Sequence, residues 1–251
     1  MDAGAAPPVS THPRLAEPVA VLMPVYNEAR LIRDVLDEWI GEVFAYLPDG
    51  SQFIFDDCSD DGTEVTLRDY AARYPFIAVN SSVRDGFIKA AKRLHAAVRC
   101  PLAFFTDSDG QYVAQDFWDV AAHIGTHDMV HGYKQRRKDP LYRVAASSVF
   151  NRVVQVMFGS VGHDVNSAFR LIRREALQWV APRLSQMPAL LNAEMYIRLE
   201  WEGFRIKEVP IRHRFRRFSK SRGLPLKSFP IECVRAFGGL VALRRELTAE
   251  P

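Results

Sequence analysis

Residues 104 to 112 read FFTDSDGQY, where an apolar run gives way to two aspartates and a glutamine at alternate positions. Successive side chains of an extended segment point to opposite faces, so we expect Asp107, Asp109 and Gln111 on the same side. Oxygen ligands of this kind suit Mg²⁺ or Mn²⁺. Asp, Ser and Gly are also ordinary turn residues, so a solvated acidic turn is the alternative interpretation. The stretch alone leaves both interpretations open.

The surrounding sequence indicates an α/β fold. Short apolar runs such as PVAVLMPVY (18–26), SQFIFDD (51–57) and CPLAFF (100–105) alternate with longer amphipathic segments. The segment at 27–47, for example, repeats apolar residues at helical spacing. This alternation is typical of βαβ units, and it predicts a Rossmann-like, mostly parallel sheet flanked by helices.

The second half of the chain is less regular. It predicts a long helix over PLYRVAASSVFNRVVQVMF (140–158), a strand in DVNSAFRLI (164–172) and a helix ending at Gly203. RIKEVPIRHRF, from residue 205, reads as a strand that leads into a basic loop, and an amphipathic helix follows it. We therefore expect one domain over residues 19–245.

Composition restricts the class of protein. Residues 1–18 are rich in Ala and Pro and predict a disordered leader, whereas the 48% hydrophobic content of the chain suffices for a continuous core. No apolar run approaches the ~20 residues that span a bilayer. Cys58, Cys100 and Cys233 show no CxxC spacing, so the sequence favours a reducing cytoplasm over a disulfide framework or a zinc site.

The positive charge of the chain is concentrated in one segment. Residues 205–222 carry eight Lys or Arg against the single Glu208, while the whole chain has a formal net charge of +3. Such a run suits phosphates, an anionic lipid surface or solvent. No helix-turn-helix, RNP or zinc-finger pattern surrounds it, so we expect no nucleic acid partner.

Three polar motifs follow predicted strands: PVYNE at 24–28, DDCSDDGT at 56–63 and DSDGQ at 107–111. In open parallel sheets, ligands bind beyond the carboxyl ends of the strands. The motifs are therefore expected at one binding site.

Together with DVNSAFRLIRREAL and EVPIRHRFRRFSKSR, these motifs occur in the order and spacing of a known family. The chain resembles the inverting family 2 glycosyltransferases of GT-A fold, in particular the dolichyl- or polyprenyl-phosphate mannosyl- and glucosyltransferases, over roughly residues 18–222. The resemblance implies a nucleoside diphosphate sugar donor, such as GDP-mannose or a UDP-sugar. It also implies a polyprenyl phosphate acceptor and a cytoplasmic enzyme that attaches peripherally to the membrane face.

The resemblance also assigns donor-site roles to individual residues. Pro24, Tyr26 and Glu28 would contact the nucleoside. Asp57 would accept hydrogen bonds from the base, with Asp56 supporting it. A divalent cation, Mg²⁺ or Mn²⁺, would be held by Asp107, Asp109 and Gln111 and would bridge the diphosphate, which stabilises the charge of the leaving group.

On the acceptor side, the resemblance implies a set of phosphate-binding cations and one carboxylate. Lys134 stands where relatives carry an arginine, which keeps the charge but loses bidentate geometry. Arg143, Arg216 and Arg222 match further basic positions. Asp164 would border the sugar and the acceptor.

Two chemistries remain open for the acceptor. A phosphate acceptor is already anionic and needs no general base, whereas a hydroxyl of a small-molecule alcohol would require one, for which Asp164 and Glu194 are the candidates. A nucleotidyltransferase is disfavoured because PVYNE is not a Gly-rich GxGTR-like loop, and a pure binding module would have little use for DSDGQ.

Overall fold

The computed structural model describes residues 15–81, 83–135, 137–159, 162–216 and 229–249. The expected leader lies outside the described residues up to residue 14, as does the predicted phosphate-binding residue Arg222. Within the described end of that leader, Leu15 packs against the hydrophobic core and Glu17 pairs with Arg173 at 3.4 Å.

Strands and helices alternate through the first half of the chain, as the sequence predicts. The strands are β1 Val19–Val25, β2 Gln52–Asp57, β3 Ile77–Ser81, β4 Leu102–Phe105, β5 Met129–Lys134, β6 Arg170–Arg173 and β7 Ile206–Ile211. The helices are α1 Ile32–Glu42, α2 Thr63–Arg73, α3 Phe87–Ala97, α4 Phe117–Ala121, α5 Leu141–Phe158, α6 Arg174–Val180, α7 Leu191–Trp201 and α8 Phe229–Ala249.

The strands of the described residues form one seven-stranded sheet in the order β3-β2-β1-β4-β6-β5-β7. Neighbouring strands are parallel except at β6, which runs antiparallel to β4 and to β5. The Rossmann-like, mostly parallel α/β class is thereby confirmed.

An aromatic cluster joins α1 to the sheet. The α1 residue Trp39 is 3% exposed, and its ring centroid lies 5.5 Å from Phe104, 6.1 Å from Phe53 and 6.3 Å from Phe169. Phe53 is on β2 and Phe104 on β4, so a single side chain anchors the helix to two strands. Aromatic side chains bury large apolar areas, which makes this cluster a main source of packing energy.

The predicted strand over residues 164–172 is shorter than expected. Only Arg170–Arg173 forms a strand, because the Ser167 backbone N–H donates to the Asp164 carbonyl at 2.9 Å and closes a turn. This turn brings Asp164 to the carboxyl ends of the parallel strands. No helix in the described parts of the chain is both long and apolar enough to cross a membrane.

Candidate active site

A cavity of about 720 Å³ opens at the carboxyl ends of β1, β4 and β5. Ten of the side chains predicted from the sequence line it: Pro24, Tyr26, Glu28, Asp107, Asp109, Gln111, Lys134, Arg143, Asp164 and Arg216. The strand-end motifs therefore converge as expected for an open α/β sheet. Asp56 and Asp57 are buried and are not among the lining residues.

The loops after β1 and β2 are clipped together. Asn27 has a left-handed backbone (φ 54°), its N–H donates to Ser59 Oγ at 2.8 Å, and its side-chain amide donates to Asp60 Oδ1 at 2.6 Å. The Asp60 N–H donates back to Asn27 Oδ1 at 2.9 Å. These bonds fix PVYNE against DDCSDDGT, so both motifs contribute to the side of the cavity that the sequence predicts to contact the nucleoside.

Tyr26 and Arg84 face each other on that side. The Arg84 guanidinium lies 4.5 Å from the centroid of the Tyr26 ring, and both side chains line the cavity. Arg84 comes from the loop between β3 and α3 and was not predicted from the sequence. The available signal was a basic residue in VRDG (83–86), the segment directly before α3.

Asp56 and Asp57 stabilise the loop after β2 through partly buried hydrogen bonds. Asp56 accepts two hydrogen bonds from Arg93, at 2.8 and 2.9 Å. Asp57 Oδ1 accepts the Ser59 hydroxyl at 2.6 Å, and burial raises the pKa of its carboxyl. Both aspartates thus make internal contacts that orient the loop, and the base contact of Asp57 remains a prediction.

Asp107, Asp109 and Gln111 all reach the cavity, but not through an extended strand. β4 ends at Phe105, and the chain bends at Gly110, which has a φ of 68°. A side chain there would be strained in this left-handed conformation, and its Cβ would lie 3.1 Å from Leu31 Cδ2. The predicted clustering is therefore produced by a glycine turn.

The two aspartates fit a cation site. Asp109 Oδ1 accepts the Gln111 N–H at 3.1 Å, whereas the Asp107 carboxyl accepts no hydrogen bond from the described residues. Burial, followed by the charge of Asp109, raises the pKa of Asp107, so a bound cation would relieve unfavourable negative charge. Within the described residues no three His, Cys, Asp or Glu side chains are placed to hold a metal together. Metal binding by Asp107, Asp109 and Gln111 remains a prediction.

Asp164 is the acidic centre of a basic cluster on the other side of the cavity. Lys134 Nζ lies 3.4 Å from Asp164 Oδ2, and Arg137 Nη1 lies 3.4 Å from Asp164 Oδ1. Burial alone would raise the pKa of Asp164, but Lys134 and Arg137 lower it below its usual value. This carboxylate is therefore a weak base.

Arg137 was missed by the sequence analysis. Its guanidinium donates to the Ser147 hydroxyl on α5 and to Asp139 Oδ2, the latter at 3.1 Å. It lines the main cavity and also a second cavity of about 330 Å³ that shares Lys134 and Asp164 with the first. The available signal was the basic run KQRRK after a predicted strand end.

The two predicted arginines lie on different sides of the cavity. Arg143, on α5, lines the cavity and donates from Nε to the Tyr142 hydroxyl at 3.2 Å. Arg216 donates to Glu28 Oε1 at 2.8 Å and lies 3.3 Å from Asp109 Oδ2. These two contacts of Arg216 are therefore with residues that the sequence predicts to bind the donor and its cation, not the acceptor.

Glu194 is a structural residue. Its side chain on α7 is fully buried, and its carboxylate accepts the backbone N–H groups of Ser185, Gln186 and Met187 at 3.0, 3.1 and 2.8 Å. Arg198 Nε donates to it at 3.0 Å. Of the two candidate bases predicted from the sequence, Asp164 lines the cavity and Glu194 does not.

Comparison with known proteins identifies the family and the fold of the chain. Residues 20–180 match the pattern of Glycosyl transferase family 2. The chain is 29% identical over 208 residues to a dolichyl-phosphate hexose transferase of Haloferax volcanii, covering 79% of this chain and 83% of that protein. It is 26% identical over 202 residues to glycosyltransferase AglD of the same organism, covering 77% of this chain but only 32% of that relative.

A solved structure shares the fold. Glucosyl-3-phosphoglycerate synthase from Mycobacterium tuberculosis, in complex with Mn²⁺, UDP and phosphoglyceric acid, superposes with a TM-score of 0.66 at 18% identity. The match covers 91% of this chain and 79% of that one. The chain therefore belongs to glycosyl transferase family 2 and has the GT-A fold.

Proposed function

We propose that the chain transfers a hexosyl residue from a nucleoside diphosphate sugar to a polyprenyl phosphate, with inversion and with a divalent cation. The observation that carries this proposal is the acceptor side of the cavity, where Lys134 and Arg137 both hold Asp164 at 3.4 Å. Lys134 and Arg137 lower the basicity of Asp164, and their positive charges can bind an anion. This arrangement suits an anionic nucleophile better than a hydroxyl group, which would need a base.

The donor would lie across the ends of β1 and β4. Tyr26 and Arg84 offer an aromatic and a cationic surface to the nucleoside diphosphate. Asp107, Asp109 and Gln111 would hold Mg²⁺ or Mn²⁺, which would stabilise the negative charge of the departing diphosphate. The Mn²⁺ and UDP in the solved relative support this arrangement.

The reaction needs two anionic partners held close together. In the proposed step a phosphate oxygen of the acceptor bonds to the anomeric carbon, while the bond from that carbon to the diphosphate breaks. Lys134, Arg137 and Arg143 would bind the acceptor phosphate and screen its repulsion by the donor. Asp164 would orient the cations without taking a proton. The dolichyl phosphate in the name of the 29% identical relative supports this acceptor class.

A second candidate is transfer to a hydroxyl of a small phosphorylated acceptor. The phosphoglyceric acid bound in the solved relative favours it, since the same cations could hold that phosphate. Asp164 would then act as the general base. In this case the enzyme would need no membrane, whereas a polyprenyl phosphate would bring it to the cytoplasmic membrane face.

Sugar transfer to a panel of acceptors tests the proposal. Radiolabelled GDP-mannose and UDP-glucose would be offered with a short polyprenyl phosphate, the matching polyprenol and 3-phosphoglycerate, each with Mn²⁺ or Mg²⁺. We expect transfer to polyprenyl phosphate alone, and a fall of at least ~tenfold in Lys134→Met and Arg143→Met, since each loses a charge-assisted contact.

Arg205→Met is the matched control. Arg205 also pairs with an aspartate, Asp128 at 3.1 Å, but its side chain is 65% exposed and does not line the cavity. Its removal should leave transfer unchanged. Transfer confined to 3-phosphoglycerate would overturn the polyprenyl phosphate assignment in favour of the second candidate.

A further inference from the structure

Arg216 links the nucleoside side of the cavity to the cation site. Its Nη2 donates to Glu28 Oε1 at 2.8 Å, and its Nη1 lies 3.3 Å from Asp109 Oδ2. The side chains of Glu28, Asp109 and Arg216 are only 7%, 16% and 19% exposed. Ion pairs shielded from solvent in this way are less screened by salt than surface pairs. One guanidinium therefore compensates two carboxylates from different strand ends.

We propose that Arg216 competes with the divalent cation for Asp109 and passes to the donor diphosphate when that cation binds. The inference rests on the proposed metal-dependent function. A cation ligated by Asp109 and a guanidinium paired with the same carboxylate would repel each other, so binding of the cation weakens the Arg216 to Asp109 contact. The contact with Glu28 keeps the guanidinium on the cavity wall.

The competition concerns only one of the two aspartates. Asp107 accepts no hydrogen bond from the described residues, so a cation can approach it without displacing a donor. Asp109, in contrast, is already neutralised in part by Arg216. The divalent cation alone is therefore expected to bind more weakly than two partly buried carboxylates would otherwise allow.

The nucleoside diphosphate changes this balance. It brings negative oxygens into the same part of the cavity, and an arginine fork is well suited to bind them. The guanidinium that the cation displaces from Asp109 can thus pair with the diphosphate oxygens instead. Cation and nucleotide should strengthen each other's binding, and by linkage the factor is the same in both directions. In this scheme Arg216 would contact the substrate directly, because its guanidinium would bind the donor diphosphate once it has left Asp109.

Calorimetric titration of the full chain with Mn²⁺, with and without saturating UDP or GDP, tests the proposal. In Arg216→Met we expect Mn²⁺ alone to bind about fivefold more tightly than in the wild type, the order expected for loss of a partly shielded ion pair. The enhancement of Mn²⁺ binding by nucleotide should shrink by a similar factor. The Mn²⁺ affinity of Arg216→Lys, which keeps the positive charge but loses the two-pronged guanidinium, should lie between those of the wild type and Arg216→Met.

The control is Arg205→Met, which removes the same charge at a residue that does not line the cavity and should leave both affinities unchanged. Circular dichroism and urea unfolding would verify that each variant is folded. If the wild type binds Mn²⁺ and Arg216→Met binds it equally well or more weakly, this inference alone would be overturned. A wild type that binds no Mn²⁺ even with UDP or GDP would overturn the metal-dependent function as well. No acceptor is present, so the choice of acceptor does not affect the result.

Discussion

Replacement of Glu194 by glutamine should unfold the protein more easily without impairing its chemistry. The carboxylate accepts three backbone N–H groups and the Arg198 Nε, all within 3.1 Å, and it is fully buried. In Glu194→Gln an amide N–H₂ replaces one oxygen, so at least one buried donor faces another donor. An unpaired buried donor costs about 1 to 3 kcal/mol.

The larger effect comes from Arg198. Its side chain is 1% exposed, and after the substitution its remaining anionic partner is Glu246, 2.9 Å from Nη1. Removing one partner of a buried ion pair costs about 3 to 5 kcal/mol, so we expect a loss near ~4 kcal/mol in the free energy of unfolding. With an m-value of about 3 kcal/mol/M, the urea midpoint should fall by about 1.3 M.

Urea unfolding followed by circular dichroism, and sugar transfer per folded molecule, together check this prediction. The matched control is Glu246→Gln, whose side chain is 31% exposed and whose loss should cost about 1 kcal/mol or less. Turnover of Glu194→Gln should stay within about twofold of the wild type, because no step of the proposed transfer uses the residue. An unchanged midpoint with abolished turnover would show that Glu194 is a catalytic base and that its structural assignment is wrong.

Three other substitutions have defined outcomes. Asp109→Ala should remove the Mn²⁺-dependent part of UDP or GDP binding in calorimetry, and unchanged binding would contradict the cation site. Asp164→Asn should lower transfer to polyprenyl phosphate by less than about tenfold, whereas a general base would give a fall of about 10²- to 10⁴-fold. His95→Leu should flatten the dependence of the urea midpoint on pH. Burial lowers the pKa of His95 to about 3, so between about pH 6.5 and 3 only the unfolded chain takes up the proton. The wild type therefore loses stability as the pH falls through that window. Parallel profiles for the two proteins would refute this last expectation.

The sequence predicted the parts of the site that depend on local pattern. Strand ends can be recognised where apolar runs stop, so Tyr26, Asp107 and Asp109 were placed at one edge of the sheet. Even the error about an extended segment at Gly110 did not change this outcome, because the turn brings the same side chains into the cavity. The antiparallel β6 was not predicted, since nothing in a short apolar strand shows its direction.

Long-range ion pairs could not be predicted in the same way. Arg216 reaches Glu28 across 188 positions, and Arg93 reaches Asp56 across 37. No local period links such residues, since their contact depends on how the loops meet in three dimensions. Glu194 is a similar case, because its partners are backbone N–H groups of a preceding turn that has no distinctive composition.

The position of β6 also has a consequence for how the chain folds during synthesis. β4 ends at Phe105, and β6, which covers its second edge, begins at Arg170. At about 5 to 20 residues per second, the ribosome needs roughly 3 to 13 s to make the intervening segment. During that interval the nascent N-terminal half has an unpaired, apolar strand edge, which is a template for wrong pairing with other chains. A chaperone acting on this protein would therefore be needed most before residues 170–173 emerge.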